Sequence, residues 1–415
     1  MVRKVISHLK SDTLYLNSLY LMSNTIFMAG MGFLFWLINA HLFSPDQIGI
    51  ATTLISAMTL VSYTSLLGFN STFIRFLPTS KDRNNQITTG LVLSVLMAIV
   101  IAGGYILLVP WIAPKLGFVH TIAYGIGFVV MAALAAVNLL TDSIFIAYRA
   151  AKYNLLIDGL IMSSVKVVLP LFFVSLGAYG IFTASGSAAA IALCASLYFL
   201  KKKFSYKPSM RIDKNVLRQV FHYSFSSYLA NLLNIAPTLL LPLIIINKLG
   251  APNAAYYYLA FMIANLLYTV AYSVSQSLFA EGSYEDRASQ ELIKKAGVVL
   301  AVVTVAGSLV VVAGAPLLLR VFGQNYAQHA TSILRILALS APAVALYVVA
   351  NVLLRLKKQV GSIIIVNVVY ALTICGLTLA WSGRGLNWVG WAWLAGNALS
   401  GIVGMSFYKA SQDGQ

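Results

Sequence analysis

Long apolar runs, broken only by short polar stretches, occupy nearly the whole chain. They fall at approximately 14–40, 48–69, 87–109, 122–147, 155–176, 180–200, 221–247, 254–279, 297–319, 331–354, 360–381 and 388–408. A helix rising about 1.5 Å per residue needs about 20 apolar residues to cross a bilayer core. The pattern therefore predicts twelve membrane-spanning helices, an all-α integral membrane fold, and both termini on one side. The first run follows Arg3, Lys4 and Lys10. It is longer than the apolar core of a signal peptide, about 7–15 residues, and so reads as a retained span.

Charge orients the pattern. With the N-terminus taken as cytoplasmic, 22 Lys and Arg residues fall on that side and four on the other, Lys115, Lys248, Arg320 and Arg384. Cytoplasmic loops collect basic residues, so the net charge of +17 is a topology signal and calls for no nucleic acid partner. Lys166 and Arg335 are left inside spans. The composition, 60% hydrophobic and 9% charged, excludes a soluble globular protein, which carries about 25% charged residues. Cys194 and Cys375 both lie in apolar runs and indicate neither a disulfide framework nor a metal site.

The loops opposite the termini are short, His41–Gln47, Pro110–Thr121, Gly177–Tyr179, Lys248–Asn253, Arg320–Ala330 and Ser382–Asn387, and leave no room for an outer catalytic domain. The largest polar segment, 201–219, is basic and divides the chain into a six-span bundle at 1–200 and another at 220–415. At an offset of 207, His41-Leu42-Phe43-Ser44-Pro45-Asp46 lies over Lys248-Leu249-Gly250-Ala251-Pro252-Asn253, and Asn24 lies over Asn231. At 206, Pro110, Gly117, Arg149 and Lys152 lie over Pro316, Gly323, Arg355 and Lys358. Six spans per half make these parallel repeats. The expected architecture is two six-helix bundles around a central cavity, with alternating access by rocking of the halves.

No phosphate-binding GxxxxGK[ST] loop is present, and the five histidines are scattered. No catalytic residue, cofactor or metal ligand is therefore assigned. Ionisable groups at membrane depth line cavities or pair with one another. Asp142 lies about five residues from the cytoplasmic end of its span and Lys166 near the middle of the next. Lys166 is read either as an attractor of an anionic substrate or as the structural partner of Asp142. Asp142 is read as that partner or as an acceptor of a coupling H+ or Na+. Arg335, near the outer end of its span, either faces the lumen or snorkels to the interface. Arg75 and Glu281, at equivalent cytoplasmic positions, are gate residues or interface anchors. Asn24 and Asn231 are partners for sugar hydroxyls or hold helices together. Tyr256-Tyr257-Tyr258, Trp381, Trp388, Trp391 and Trp393 lie near span ends and read as aromatic belts.

Several stretches in order along the chain resemble the MOP superfamily, and among its members the Wzx-type oligosaccharide flippases. They are the Phe-Ser-Pro-Asp-Gln-Ile-Gly turn at 43–49, Arg75-Phe76-Leu77-Pro78, and Ala147-Tyr148-Arg149-Ala150-Ala151-Lys152-Tyr153. They continue with Lys166 before Leu169-Pro170, Asn234-Ile235-Ala236-Pro237, Ser277-Leu278-Phe279-Ala280-Glu281, and Leu334-Arg335-Ile336-Leu337. The resemblance implies a MATE-like fold in the plasma membrane, a monomer surrounded by membrane lipid, and a lipid-linked oligosaccharide as substrate. Its phosphate gives Lys166 and Arg335 an anion to meet, and proton or sodium coupling is implied by analogy. A cation-coupled multidrug antiporter is the alternative, and a membrane polymerase or glycosyltransferase the second. The first two spans lack the membrane-embedded cations of lipid II flippases, and Asp12 precedes the first span, where drug extruders carry an acidic residue. Both departures favour the polysaccharide branch.

Overall fold

The computed structural model describes residues 13–209, 224–284 and 290–413, and among them there is no strand. The helices are α1 (Thr13–Leu42), α2 (Pro45–Ser65), the short α3 (Phe69–Phe76), α4 (Arg83–Ile112), α5 (Ile122–Ala147), α6 (Lys152–Leu171) and α7 (Gly177–Phe204). They continue as α8 (Phe225–Lys248), α9 (Ala251–Tyr284), α10 (Gln290–Arg320), α11 (Gln324–Leu339), α12 (Ala341–Leu356), α13 (Val360–Trp381) and α14 (Leu386–Asp413). Among the described residues ten are long and apolar enough to cross a membrane, or eleven if α11 and α12, bent by 41°, form one broken span. The 28-residue α14, about 42 Å long at 1.5 Å per residue, completes twelve. Its Asn, Gly, Ser and Trp residues dilute its apolar character.

Three boundaries differ from the sequence expectation for a physical reason. The segment expected at 331–354 begins at Gln324 and breaks at Ser340, because its first turns are polar yet helical. The span expected at 155–176 runs from Lys152 to Leu171, ending beyond Pro170. The basic stretch from Lys201 to Lys203 is the last turn of α7 rather than connector, where cations favour the negative end of the helix dipole. The rest of the connector, from residue 210, lies outside the described residues.

The chain packs as two compact units, Met1–Phe43 with Leu54–Tyr228, and Ser44–Thr53 with Leu229–Gln415. In the first unit Phe69, Phe73, Ile87, Ile144, Phe145, Ile157 and Leu200 form a core at one end of α4, α5, α6 and α7. The second unit takes the start of α2, where Gly49 lies so close to α9 that a Cβ there would stand 1.7 Å from the Ala251 carbonyl oxygen. Its centre is aromatic. Tyr347 stacks on Tyr370 at 4.4 Å, and Phe261 meets Trp393 edge-on at 4.9 Å. Tyr257 and Trp393 are 1% and 3% exposed, so these two are core residues rather than the interfacial belt expected from their place near span ends.

The internal repeat is visible in the backbone, but its register is not the one read from the sequence. α1 and α8 end 206 residues apart, at Leu42 and Lys248, and α2 and α9 begin at Pro45 and Ala251. At the turn after the fourth span of each half, Arg149 and Lys358 share the left-handed conformation, with φ of 54° and 56°. Ala150 N bonds to Phe145 O as Gln359 N bonds to Leu354 O. Here the halves are offset by 209 residues, so Arg149 corresponds to Lys358 rather than to Arg355. The earlier match followed charge, whereas the turn geometry follows the end of the helix. By the 206 register at the first hairpin, Asn24 corresponds to Ala230 and not to Asn231.

Candidate functional site

The hairpin of α5 and α6 buries a cluster of polar groups in the first unit. Asp158 is 2% exposed, Asn138 4% and Asn154 3%. Asn138 Nδ2 donates to Asp158 Oδ1 at 3.0 Å, and Asn154 Nδ2 to the Asp142 carbonyl at 3.2 Å. The carboxyl groups of Asp142 and Asp158 lie close enough across the two helices to act on each other electrostatically. Around Asp158 the helix widens into a π-helical stretch, Leu155–Met162, and the Ser163 hydroxyl caps the Asp158 carbonyl at 2.7 Å. π-helical turns cluster at functional sites because they displace side chains from their helical register. α1 closes this region. Asn17 accepts from the Ala151 amide at 2.9 Å, and Asn24 Oδ1 sits 2.8 Å from where a Gly159 Cβ would stand.

Lys166 does not pair with Asp142. It lies eight residues beyond Asp158 on α6, about 12 Å along the axis, nearer the Leu171 end of the span than its middle. Its ammonium stands 4.8 Å from the centroid of the Phe35 ring on α1, and the one ion pair found among the described residues is Lys295 with Glu291. The carboxyl group that acts on Asp142 is that of Asp158, a residue to which the sequence pattern assigns no role.

The other expected positions separate. Arg335 Nε donates at 3.1 Å to the Val312 carbonyl, which would otherwise bond to the amide of residue 316. That residue is Pro316, which has no N–H, so Arg335 satisfies the acceptor that the proline orphans. Replacing Arg335 with leucine is expected to lower the melting temperature of the purified protein, the loss of a partner for a carbonyl costing about 1 kcal/mol. On a Pro316→Ala background, where the amide returns, the same substitution should cost almost nothing. Equal losses on both backgrounds would remove this role.

Arg75 is exposed on α3, with its guanidinium 5.5 Å from the Phe76 ring. The left-handed residues Leu67 and Gly68 separate α3 from α2. Glu281 sits instead within the continuous α9, and its side chain lies outside the described residues. Asn24 is half-buried and Asn231 exposed, so the two asparagines do not share an environment.

With the repeat register of 209, Asn138, Asp142 and Asp158 correspond to Tyr347, Asn351 and Asn367. The second unit makes the same bridge with neutral groups. Tyr347 Oη donates to Asn367 Oδ1 at 2.8 Å, Asn234 Nδ2 to Tyr347 Oη at 2.7 Å, and Asn367 Nδ2 to the Ala230 carbonyl at 2.9 Å.

Long apolar helices in two repeats, with polar groups buried in the first, define a polytopic all-α membrane protein. Residues 38–328, more than two thirds of the chain, match the model of a family described as polysaccharide biosynthesis protein, and the chain belongs to that family. An inward-facing multidrug resistance MATE family transporter of the MOP superfamily aligns with a TM-score of 0.63 at 17% identity, covering 95% of this chain and 94% of that one. The lipid II flippase MurJ, in an inward closed conformation, aligns with a TM-score of 0.74 at 12% identity, over 95% and 87% of the two chains. A MOP superfamily transporter from Pyrococcus furiosus Vc1 aligns with a TM-score of 0.54 at 18% identity, over 96% and 92%. The fold is that of the MOP superfamily. No curated protein matches the sequence significantly.

Proposed function

We propose that this protein is a flippase that carries a lipid-linked oligosaccharide across the plasma membrane for cell-surface polysaccharide assembly. The observation that carries the reading is the family match over 38–328 on a chain of MOP transporter fold. It works as a monomer, with both termini cytoplasmic, the side to which 22 of the 28 basic residues fall. It transports and performs no bond chemistry. Lys166 attracts the phosphate or pyrophosphate of the substrate. Transport is driven by a cation that Asp142 takes up.

Deleting the gene should strip the cell of its surface polysaccharide and leave the lipid-linked unit in the inner leaflet, measured by susceptibility of that unit to a saccharide-modifying enzyme added from outside. Normal surface glycan in the deletion strain contradicts the reading. The fold likeness to a multidrug resistance MATE transporter favours one other reading, a drug antiporter. In that case deletion would change retention of small organic cations and leave surface glycan intact.

A further inference from the structure

We propose that the end of the first unit where α4 begins and α7 stops binds the phosphate of an anionic phospholipid, with Arg83, Arg149, Lys203 and Lys207 as its cations. The inference goes beyond the flippase reading and does not depend on what the protein transports.

Three segments of the chain meet here through uncharged groups, and those contacts gather the cations. Tyr148, just past the end of α5, stacks on Phe204, the last residue of α7, with ring centroids 4.8 Å apart and planes 13° from parallel. The chain then turns at Ser205, which is left-handed with φ of 54°, and doubles back onto the start of α4. Lys207 N donates to Asn84 Oδ1 at 3.2 Å and Ser209 N to Thr88 Oγ1 at 3.1 Å, while the Tyr206 hydroxyl lies 2.9 Å from that of Thr88. Arg149 follows Tyr148, Lys203 precedes Phe204, and Lys207 is held beside Asn84, which follows Arg83. The Arg83 guanidinium itself stands 5.9 Å from the Tyr148 ring and donates to the Pro78 carbonyl at 2.9 Å. A planar fork held on a ring and a carbonyl is oriented before any anion arrives, and a phosphate is the anion its geometry matches.

Positive charge dominates this end. The segments 75–83, 149–152 and 201–207 carry nine Lys and Arg side chains, all exposed, against one carboxylate. That carboxylate, Asp82, serves as the cap of α4 and accepts from the Asn85 amide at 3.2 Å. A phospholipid suits the site better than a soluble anion, because the cations stand at the ends of membrane-spanning helices with apolar side chains beside them. On α7, Leu197 and Tyr198 lie four residues before Lys201 and Lys202 and so share their faces; they are 37% and 53% exposed. Lys202 Nζ donates to the Tyr198 hydroxyl at 2.7 Å, and a tyrosine paired with a lysine in this way sits at the level of the headgroups. An acyl chain can then follow Leu197 while its phosphate meets the cations. The site is separate from Lys166, which lies 14 residues along α6 from Lys152, about 21 Å away along the axis.

The test counts lipids on the full-length protein by native mass spectrometry in a neutral detergent, with phosphatidylglycerol and phosphatidylcholine of the same chain length as probes. Each Lys or Arg near an anionic lipid is worth about fivefold in affinity, so the wild type should bind its first phosphatidylglycerol at least about tenfold more tightly than phosphatidylcholine. Lys203→Gln with Lys207→Gln, which alters only exposed side chains, should weaken phosphatidylglycerol at least about fivefold at unchanged melting temperature. Adding Arg83→Gln should abolish the preference; if that triple variant does not fold, the double variant decides. Lys294→Gln with Lys409→Gln, which takes the same charge from exposed positions of the second unit, should leave the preference intact. A wild type without preference, a preference that survives the double variant, or one lost equally in the second-unit variant would each overturn the proposal. Displacement of the bound phosphatidylglycerol by an equimolar polyprenyl pyrophosphate would also overturn it, making the cluster a station for lipid-linked cargo. Failure of the protein to flip a saccharide would leave it standing.

Discussion

Replacing Lys166 with alanine is expected to reduce flipping of the lipid-linked saccharide at least about tenfold while leaving membrane expression and melting temperature at or above those of the wild type. The reasoning is one of uncompensated charge. An ammonium within a span costs about 2.5–3.5 kcal/mol on insertion scales, and here it meets an aromatic face at 4.8 Å rather than a carboxylate. A cation over a ring recovers about 0.5–2 kcal/mol, which does not offset that cost. Removing the charge therefore costs the fold little. A phosphate arriving in the path would gain a charge-assisted contact of about 1.5–3 kcal/mol, and each 1.4 kcal/mol is about tenfold in affinity. Lys166→Arg should retain most of the activity. Parallel losses of stability and transport in Lys166→Ala would instead make the residue structural.

A second large effect is expected at Gly49. In most helices replacing glycine with alanine stabilises by about 0.5–1 kcal/mol. At Gly49 the sign should reverse, because the added methyl would stand 1.7 Å from the Ala251 carbonyl oxygen and 2.5 Å from its carbon. Both are backbone atoms at the start of α9, so no side chain can rotate away and the helices must part. Overpacking of this kind costs about 1–3 kcal/mol or more. Gly49→Ala should lower the melting temperature by several degrees and cut folded yield, whereas Gly32→Ala, with nothing within 4 Å of its Cβ, should be neutral or stabilising. Indistinguishable melting of the two variants would contradict the close approach of α2 to α9.

The spans were readable because a bilayer imposes a length and an apolar content that few other structures require. What escaped depended on geometry that hydropathy does not carry. Hydropathy marks a span from Leu155 and carries no signal for Asp158, three residues in. The helix in fact starts at Lys152, and the π-helical widening turns Asp158 inward. The partner given to Asp142 was Lys166, by charge complementarity. Lys166 lies eight residues beyond Asp158 on α6 and meets the Phe35 ring. The repeat register slipped by three residues near Arg149 because the left-handed turn position is filled by Arg and Lys instead of the glycine that would have flagged it. Pro316, four residues after Val312, marks an orphaned carbonyl in the sequence itself, which Arg335 meets.

The most direct test of the central claim is reconstitution of the purified protein in liposomes bearing a lipid-linked oligosaccharide in both leaflets, with a membrane-impermeant saccharide-modifying enzyme added outside. With the wild type, modification should proceed past the half accessible in protein-free vesicles toward completion, and a pH gradient should speed it. Modification that stops at half in the presence of the folded protein would contradict the account.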